Sequence, residues 1–142
     1  MNNESTLAIQ PNPDREAVER LRSRLIEYNR SQVPDGTDMT LLLEVSGDTG
    51  ETTAGLYAQI YYSWMFVELL WVAQEARGRG YGSRLLSQAE DQARQRGCHS
   101  VWLDTFSFQA RGFYEKQGYA VFGELPSYPA GHSRYFLCKK LS

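Results

Sequence analysis

The chain is poor in cysteine, in charge of one sign and in long apolar runs, and each scarcity excludes something. Among its 142 residues are two cysteines, Cys98 and Cys138, which form no CxxC pair and no set of closely spaced bridges. Neither a disulfide framework nor a zinc motif can be read from them, and two reduced thiols in a reducing compartment are expected. Lysine and arginine total 15 against 17 aspartate and glutamate, a formal net charge of −2. That balance excludes a globally basic surface for a nucleic-acid backbone, so no nucleic-acid partner is expected. The longest apolar stretch, 65–73, is interrupted by Glu68 and is too short to span a bilayer. The opening residues, MNNESTLAIQPNPDR, lack a basic start followed by an apolar run. A soluble, cytoplasmic chain without a secretory signal or membrane partner is therefore expected. The two histidines and two cysteines do not cluster, so no metal site is expected.

What is present suits a packed domain. Hydrophobic residues make up 42% and charged residues 23%, which excludes wholesale disorder. A single domain over residues 1–142 is the expectation from length. Nine tyrosines help to bring aromatics to 13%, material for a core and for pocket walls.

Leu7-Ala8-Ile9 reads as a short edge strand closed by Pro11 and Pro13. Asp14 is placed to cap a helix over 14–29, where Ala17, Val18, Leu21, Leu25 and Tyr28 fall at helical spacing. Pro34-Asp35-Gly36 signals a turn. Strands near 40–46, 52–62 and 65–72 form an antiparallel meander. From Ser83, the residues Leu85, Leu86, Ala89 and Ala93 mark a second helix, stopped by Gly97. A strand at 101–103 follows, then a short helix holding Ala110, Phe113 and Tyr114 and ended by Gly118. Segments 119–123 and 135–139 read as closing strands.

The chemistry concentrates where the meander meets the second helix. Three glycines, Gly78, Gly80 and Gly82, stand between a strand and a helix start, with Arg77 and Arg79 among them. A helix N-terminus carries unpaired N–H groups and the positive end of the dipole. Glycines let a phosphate approach that backbone. The combination describes a pyrophosphate site, against the plain alternative of a glycine-rich turn with solvated arginines. A P-loop is excluded because no Gly-Lys-Ser/Thr follows. The dinucleotide pattern GxGxxG nearly fits at Gly78 and Gly80, but Ser83 stands at the third position. Asp104 ends the next strand at a suitable distance, so a nicotinamide-dependent oxidoreductase stays open as a rival.

The run Arg77-Gly78-Arg79-Gly80-Tyr81-Gly82 resembles the (Gln/Arg)-x-x-Gly-x-(Gly/Ala) motif of the GCN5-related N-acetyltransferase superfamily. A second run, Ala110 to Tyr119, is similar to that family's Ala-x-x-(Leu/Phe)-Tyr-x-Lys-x-Gly-(Phe/Tyr) signature. The resemblance implies an α/β fold: a mixed, strongly twisted sheet of about seven strands with three or four helices, splayed between its fourth and fifth strands. It implies acetyl-CoA as cosubstrate and direct attack by a primary amine in a ternary complex. Cofactor contacts would fall on Leu70, Trp71 and Val72, on Arg77 through Ser83 including Tyr81, and on Ser107, which stands where many members carry Asn. A non-catalytic CoA-binding module is the further alternative.

The same resemblance makes Tyr114 the acid that protonates the departing thiolate. An ordinary phenol, with a pKa of about 10, keeps its proton at neutral pH. Glu68, a carboxylate inside an apolar strand, is the candidate base, with an exposed edge residue or a structural ion pair as the equal alternative. Tyr128 and His132 lie in the loop before the last strand and could fold over the acceptor side; a solvated loop is the plainer reading. The acceptor amine and the oligomeric state stay open, a homodimer being the commonest assembly for such domains.

Overall fold

The computed structural model describes residues 5–34, 36 and 38–141. By its internal contacts the chain divides into two compact units, residues 1–35 and 36–142. The first holds one helix, α1 (Arg15–Gln32). Its N-cap is Asp14, whose carboxylate accepts the Ala17 N–H at 2.8 Å. That bond satisfies one orphan donor of the first turn. The Leu7–Ile9 strand does not form: residues 5–10 carry no regular structure. Three residues closed off by prolines, which lack a ladder N–H, are too few to hold a pairing. The Pro34-Asp35-Gly36 turn falls partly outside the described residues.

The second unit is α/β. Its strands are β1 (Met39–Ser46), β2 (Thr52–Tyr61), β3 (Trp64–Val72), β4 (Ser100–Phe106), β5 (Ala120–Pro126) and β6 (Ser133–Lys140). They form one sheet in the order β1-β2-β3-β4-β6-β5. The expected seven strands are therefore six among the described residues. Only β3 and β4 run parallel; every other pair is antiparallel. The parallel pair is linked by α2 (Tyr81–Gln95), in a crossover that parallel neighbours require. A short helix, α3 (Arg111–Lys116), joins β4 to β5.

The core lies on the face of the sheet that α2 covers. Leu56, Ala58, Ile60, Met65, Val67, Val101, Leu103 and Leu137 meet Leu85, Leu86, Ala89 and Ala93 there. Burying an aliphatic side chain of this size contributes about 1.5–3 kcal/mol relative to leaving it exposed. Gly97, at a φ of 81°, ends α2 as its spacing predicts, and the Cys98 N–H returns to the Ala93 carbonyl at 2.9 Å. Both cysteines are free, and burial pushes the Cys98 thiol pKa up.

Among the described residues, Ser100, Thr105 and one charged residue, Glu90, are the buried polar groups. Glu90 of α2 is 5% exposed. It accepts the Tyr119 hydroxyl at 2.7 Å and the Lys139 ammonium at 3.0 and 3.2 Å. The same ammonium donates to the Gln117 carbonyl at 2.9 Å. The Ser83 hydroxyl in the first turn of α2 donates to the Gln117 side chain at 3.3 Å. A charge buried with all its partners in place is costly to disturb, so this network ties α2, the end of α3 and β6 together.

Candidate active site

Strands β3 and β4 pair over four rungs, from Trp64 with Ser100 to Val67 with Leu103, and then part. Beyond Val67 the strand β3 keeps β2 at one edge, while Asp104 to Phe106 pair only with β6. This is the expected splay, between the third and fourth strands of the observed six. A stack of Phe66 on Trp102, with centroids 4.0 Å apart and planes 13° apart, pins the strands one rung before they separate.

A β-bulge sits at the opening. Val67 pairs with Ala58 and Leu69 with Tyr57, which leaves Glu68 as the extra residue. The insertion breaks the alternation of the strand. Glu68 and Leu69 are both exposed, while Val67 and Leu70 both face the core. Without the extra residue, Leu70 and Val72 would turn away from the helix side. The bulge therefore keeps the core continuous while setting a carboxylate at the mouth of the splay. The Glu68 carboxylate accepts the Gln59 amide at 2.7 Å.

From Val72 the chain enters a 3₁₀ turn, Gln74–Ala76, and then the glycine loop. Gly78 and Gly80 hold φ values of 81° and 77°, a left-handed conformation that L side chains resist. A Cβ built at either position would meet nothing within 4 Å, so both open into space. Gly80 is the N-cap of α2 and offers no side-chain cap to the first-turn N–H groups. Those of Tyr81, Gly82 and Ser83 belong to this set. Gly82 serves a different purpose: a Cβ there would lie 3.4 Å from the Phe113 ring and 3.8 Å from Val72. Its smallness lets α2 start close against α3 and β3. Arg77 and Arg79 are both exposed, and Arg77 folds back, its Nε donating to the Val72 carbonyl at 3.2 Å. Trp71 is also exposed.

Tyr114 lies on α3, its ring edge-on to Phe113 and Tyr119. Its side chain is 7% exposed, and burial, reinforced by the Asp104 charge, pushes its phenol up to about 12. The group keeps its proton well above neutral pH, as a donor must. Asp104, which the sequence offers only to the dinucleotide rival, lies one residue past the last β3–β4 rung. Both of its contacts with Arg134, at 2.9 and 2.8 Å, fall on Oδ1. Arg134 in turn donates to the Tyr128 hydroxyl at 3.1 Å. Its guanidinium lies 5.5, 5.2 and 5.3 Å from the Phe106, Tyr128 and Phe136 ring centroids. No sequence pattern announces this cluster, because its members come from two distant segments that only the β4–β6 pairing joins.

Ser107 and His132 bond to each other, hydroxyl to Nδ1 at 3.2 Å. The Ser107 hydroxyl also accepts the Ser133 N–H at 3.1 Å, so it anchors the β5–β6 hairpin to the end of β4. His99 lies elsewhere, against Trp64 and the Ser100 hydroxyl. A groove of about 440 Å³ between β1 and α2, lined by Leu41, Leu43, Gln88 and Gln92, lies at the opposite sheet edge. It holds none of the groups described above. Among the described residues, no helix is long and apolar enough to cross a membrane.

Comparison with known proteins bears directly on this arrangement. Residues 9–119 match the family model described as the acetyltransferase (GNAT) family. A blasticidin-S acetyltransferase from Streptomyces morookaense is 43% identical over 96 residues, 67% of this chain and 71% of that protein. An acetyltransferase from Agrobacterium fabrum is 32% identical over 127 residues, 89% of this chain and 93% of its own length. The crystal structure of an acetyltransferase from Bacillus cereus superposes with a TM-score of 0.80 at 34% identity, covering 94% of this chain and 97% of that one.

Proposed function

The chain belongs to the acetyltransferase (GNAT) family, and from that premise we propose that it moves the acetyl group of acetyl-CoA onto a primary amine of a small molecule, by direct attack with both substrates bound. The observation that carries this reading is the glycine loop: two left-handed glycines, open on their outer side, at the uncapped start of α2 beside the splay. The backbone N–H groups there receive the pyrophosphate. The β3 edge at Leu70, Trp71 and Val72, which faces no strand beyond Val67, receives the pantetheine arm.

The balance of the reaction assigns the remaining work. The amine arrives protonated: it must lose one proton before its nitrogen can bond to the acetyl carbon and a second once that bond has formed, so one proton in net passes to solvent. The carbon–sulfur bond breaks, and the thiolate must gain a proton. Glu68, at the bulge, takes a proton from the amine directly or through water. Tyr114 gives its proton to the sulfur and is restored from solvent. The amide and free CoA thiol are the products.

Blasticidin S is the first acceptor to try, because the relative named for it is 43% identical to this chain over the shared region. Purified protein is mixed with acetyl-CoA and an amine panel that includes blasticidin S. Thiol release and a mass gain of one acetyl group on the amine are followed together. Transfer to at least one amine is expected. Acetyl-CoA binding with no transfer across the panel would leave only a CoA-binding module.

A further inference from the structure

We infer that the acceptor end of the splay is a platform for a planar, cationic body attached to the reacting amine, with Phe108 and Tyr128 as its specificity-determining residues. The inference deepens the proposed transfer reaction and relies on it only for where the amine lies. Three rings stand at the C-terminal end of β4 in nearly parallel planes. Phe106 and Phe108 have centroids 5.3 Å apart with planes 2° apart, and Phe106 and Tyr128 have centroids 5.6 Å apart with planes 20° apart. Phe108 is 56% exposed and Tyr128 44%. Aromatic rings this open on a loop contribute little to the core: Phe108 also meets His132 edge-on with centroids 5.0 Å apart, and the surface that both rings leave to solvent can meet a ligand.

Charge selects among planar ligands. Arg134 supplies one positive charge at the platform, but Asp104 neutralises it through the two contacts on Oδ1. Among the described residues, Asp104 Oδ2 accepts no hydrogen bond. Glu68, one residue past the last β3–β4 rung and bonded to Gln59, brings a second carboxylate on the β3 side. Of these three groups the two carboxylates outnumber the one guanidinium, and His132, edge-on to Phe108, is the other ionisable ring at the platform. An anionic acceptor is therefore repelled and a cation favoured, and ring faces add attraction for a cation. The Arg134 pairing also fixes the Tyr128 ring through its hydroxyl, so the platform is set before a ligand arrives.

Four primary amines of similar size test this: para-aminomethylbenzamidine, benzylamine, cyclohexylmethylamine and para-aminomethylbenzoate. They differ in planarity and in the charge of the remote end. Acetylation kcat/KM is measured for each, and calorimetry on the CoA-loaded protein gives each Kd. The amidine should lead in both, by about threefold to tenfold over benzylamine. The saturated ring should follow benzylamine, and the carboxylate should come last. Phe108→Leu, at an exposed position, should compress the amidine preference toward unity and leave acetyl-CoA affinity unchanged. Tyr128→Phe keeps the ring and should retain most of the preference. A flat series, or a preference for the carboxylate, with acetylation intact would overturn the platform and spare the transfer reaction. The ordered Kd series without any acetylation would support the platform and remove the transfer reaction. No binding of any of the four to the CoA-loaded protein overturns the platform.

Discussion

The two arms of the splay are built by different means. The β3 arm ends in backbone: a helix N-terminus and glycines, contiguous from Val72 to Ser83. The β4 arm ends in side chains: Asp104, Phe106, Tyr128 and Arg134, gathered from two segments by strand pairing. Backbone donors recognise a phosphate whatever the neighbouring side chains are, which suits a cosubstrate that must always be held. Side chains can be exchanged without moving the strand that bears them, which suits an acceptor that differs between relatives. The contrast makes a testable claim: single side-chain changes should act on acceptor chemistry, and backbone changes should act on cosubstrate affinity.

The largest expected effect is on turnover. Tyr114→Phe removes one hydroxyl and almost no volume, so packing and acetyl-CoA affinity should persist. The maximal rate should fall by roughly 10²–10⁴-fold, the usual loss for a general acid. Full activity at saturating substrate would show that the thiolate leaves unaided. The same variant checks the burial of the phenol. The folded protein holds this proton up to a pKa of about 12, against the ordinary 10. A raised pKa contributes stability that is complete below the unfolded value and lost as pH climbs through the folded one. From pH 10 to about 12 the native protein should therefore lose about 2–3 kcal/mol more than Tyr114→Phe, as read from denaturant midpoints.

That division also explains what could be read in advance. The glycine loop is local, so its spacing announced a helix start, and the structure places α2 at Tyr81 rather than Ser83. The short helix that carries Tyr114 was readable because it lies in a contiguous run. The Asp104–Arg134 pair was not, since only the β4–β6 register brings Asp104 opposite Phe136 and Phe106 opposite Arg134. The bulge was equally hidden. Glu68 breaks an apolar run, but whether the ladder passes over it or counts it depends on β2. Leu7–Ile9 failed for a related reason: a short apolar run carries no information about whether a partner strand exists.

Glu68→Gln comes second. It keeps shape and hydrogen-bonding capacity and removes the charge. If the carboxylate takes the amine proton, the rate should fall by about 10²-fold near neutral pH. There an alkylamine, with a pKa of about 10.4, is almost wholly protonated. The defect should shrink as pH rises and the substrate loses its proton without help. A KM increase with kcat unchanged would assign Glu68 to holding the cation instead. Identical profiles would leave it as the structural residue of a bulge.

Gly80→Asp should act on the other arm. A left-handed φ costs an L residue about 1–2 kcal/mol, and a carboxylate there opposes the incoming pyrophosphate. Acetyl-CoA affinity should drop roughly 10- to 100-fold by calorimetry, with circular dichroism confirming the fold. Gly80→Ala carries the strain without the charge and should fall between. Unchanged affinity in Gly80→Asp would remove the loop from the cosubstrate site.

The smallest effect is the most pointed test of the contrast. Arg79 lies within the same loop, two residues from the start of α2, and its side chain is exposed. If the backbone supplies the grip, Arg79→Ala removes one solvent-facing charge and leaves every N–H donor in place. The loss should be about threefold to fivefold at low salt, the scale of an exposed ion pair. It should fade as ionic strength shortens the screening length. A salt-independent loss as large as that of Gly80→Asp would mean that side chains hold the phosphate as well. The two arms of the splay would then differ in which residues they use and not in kind.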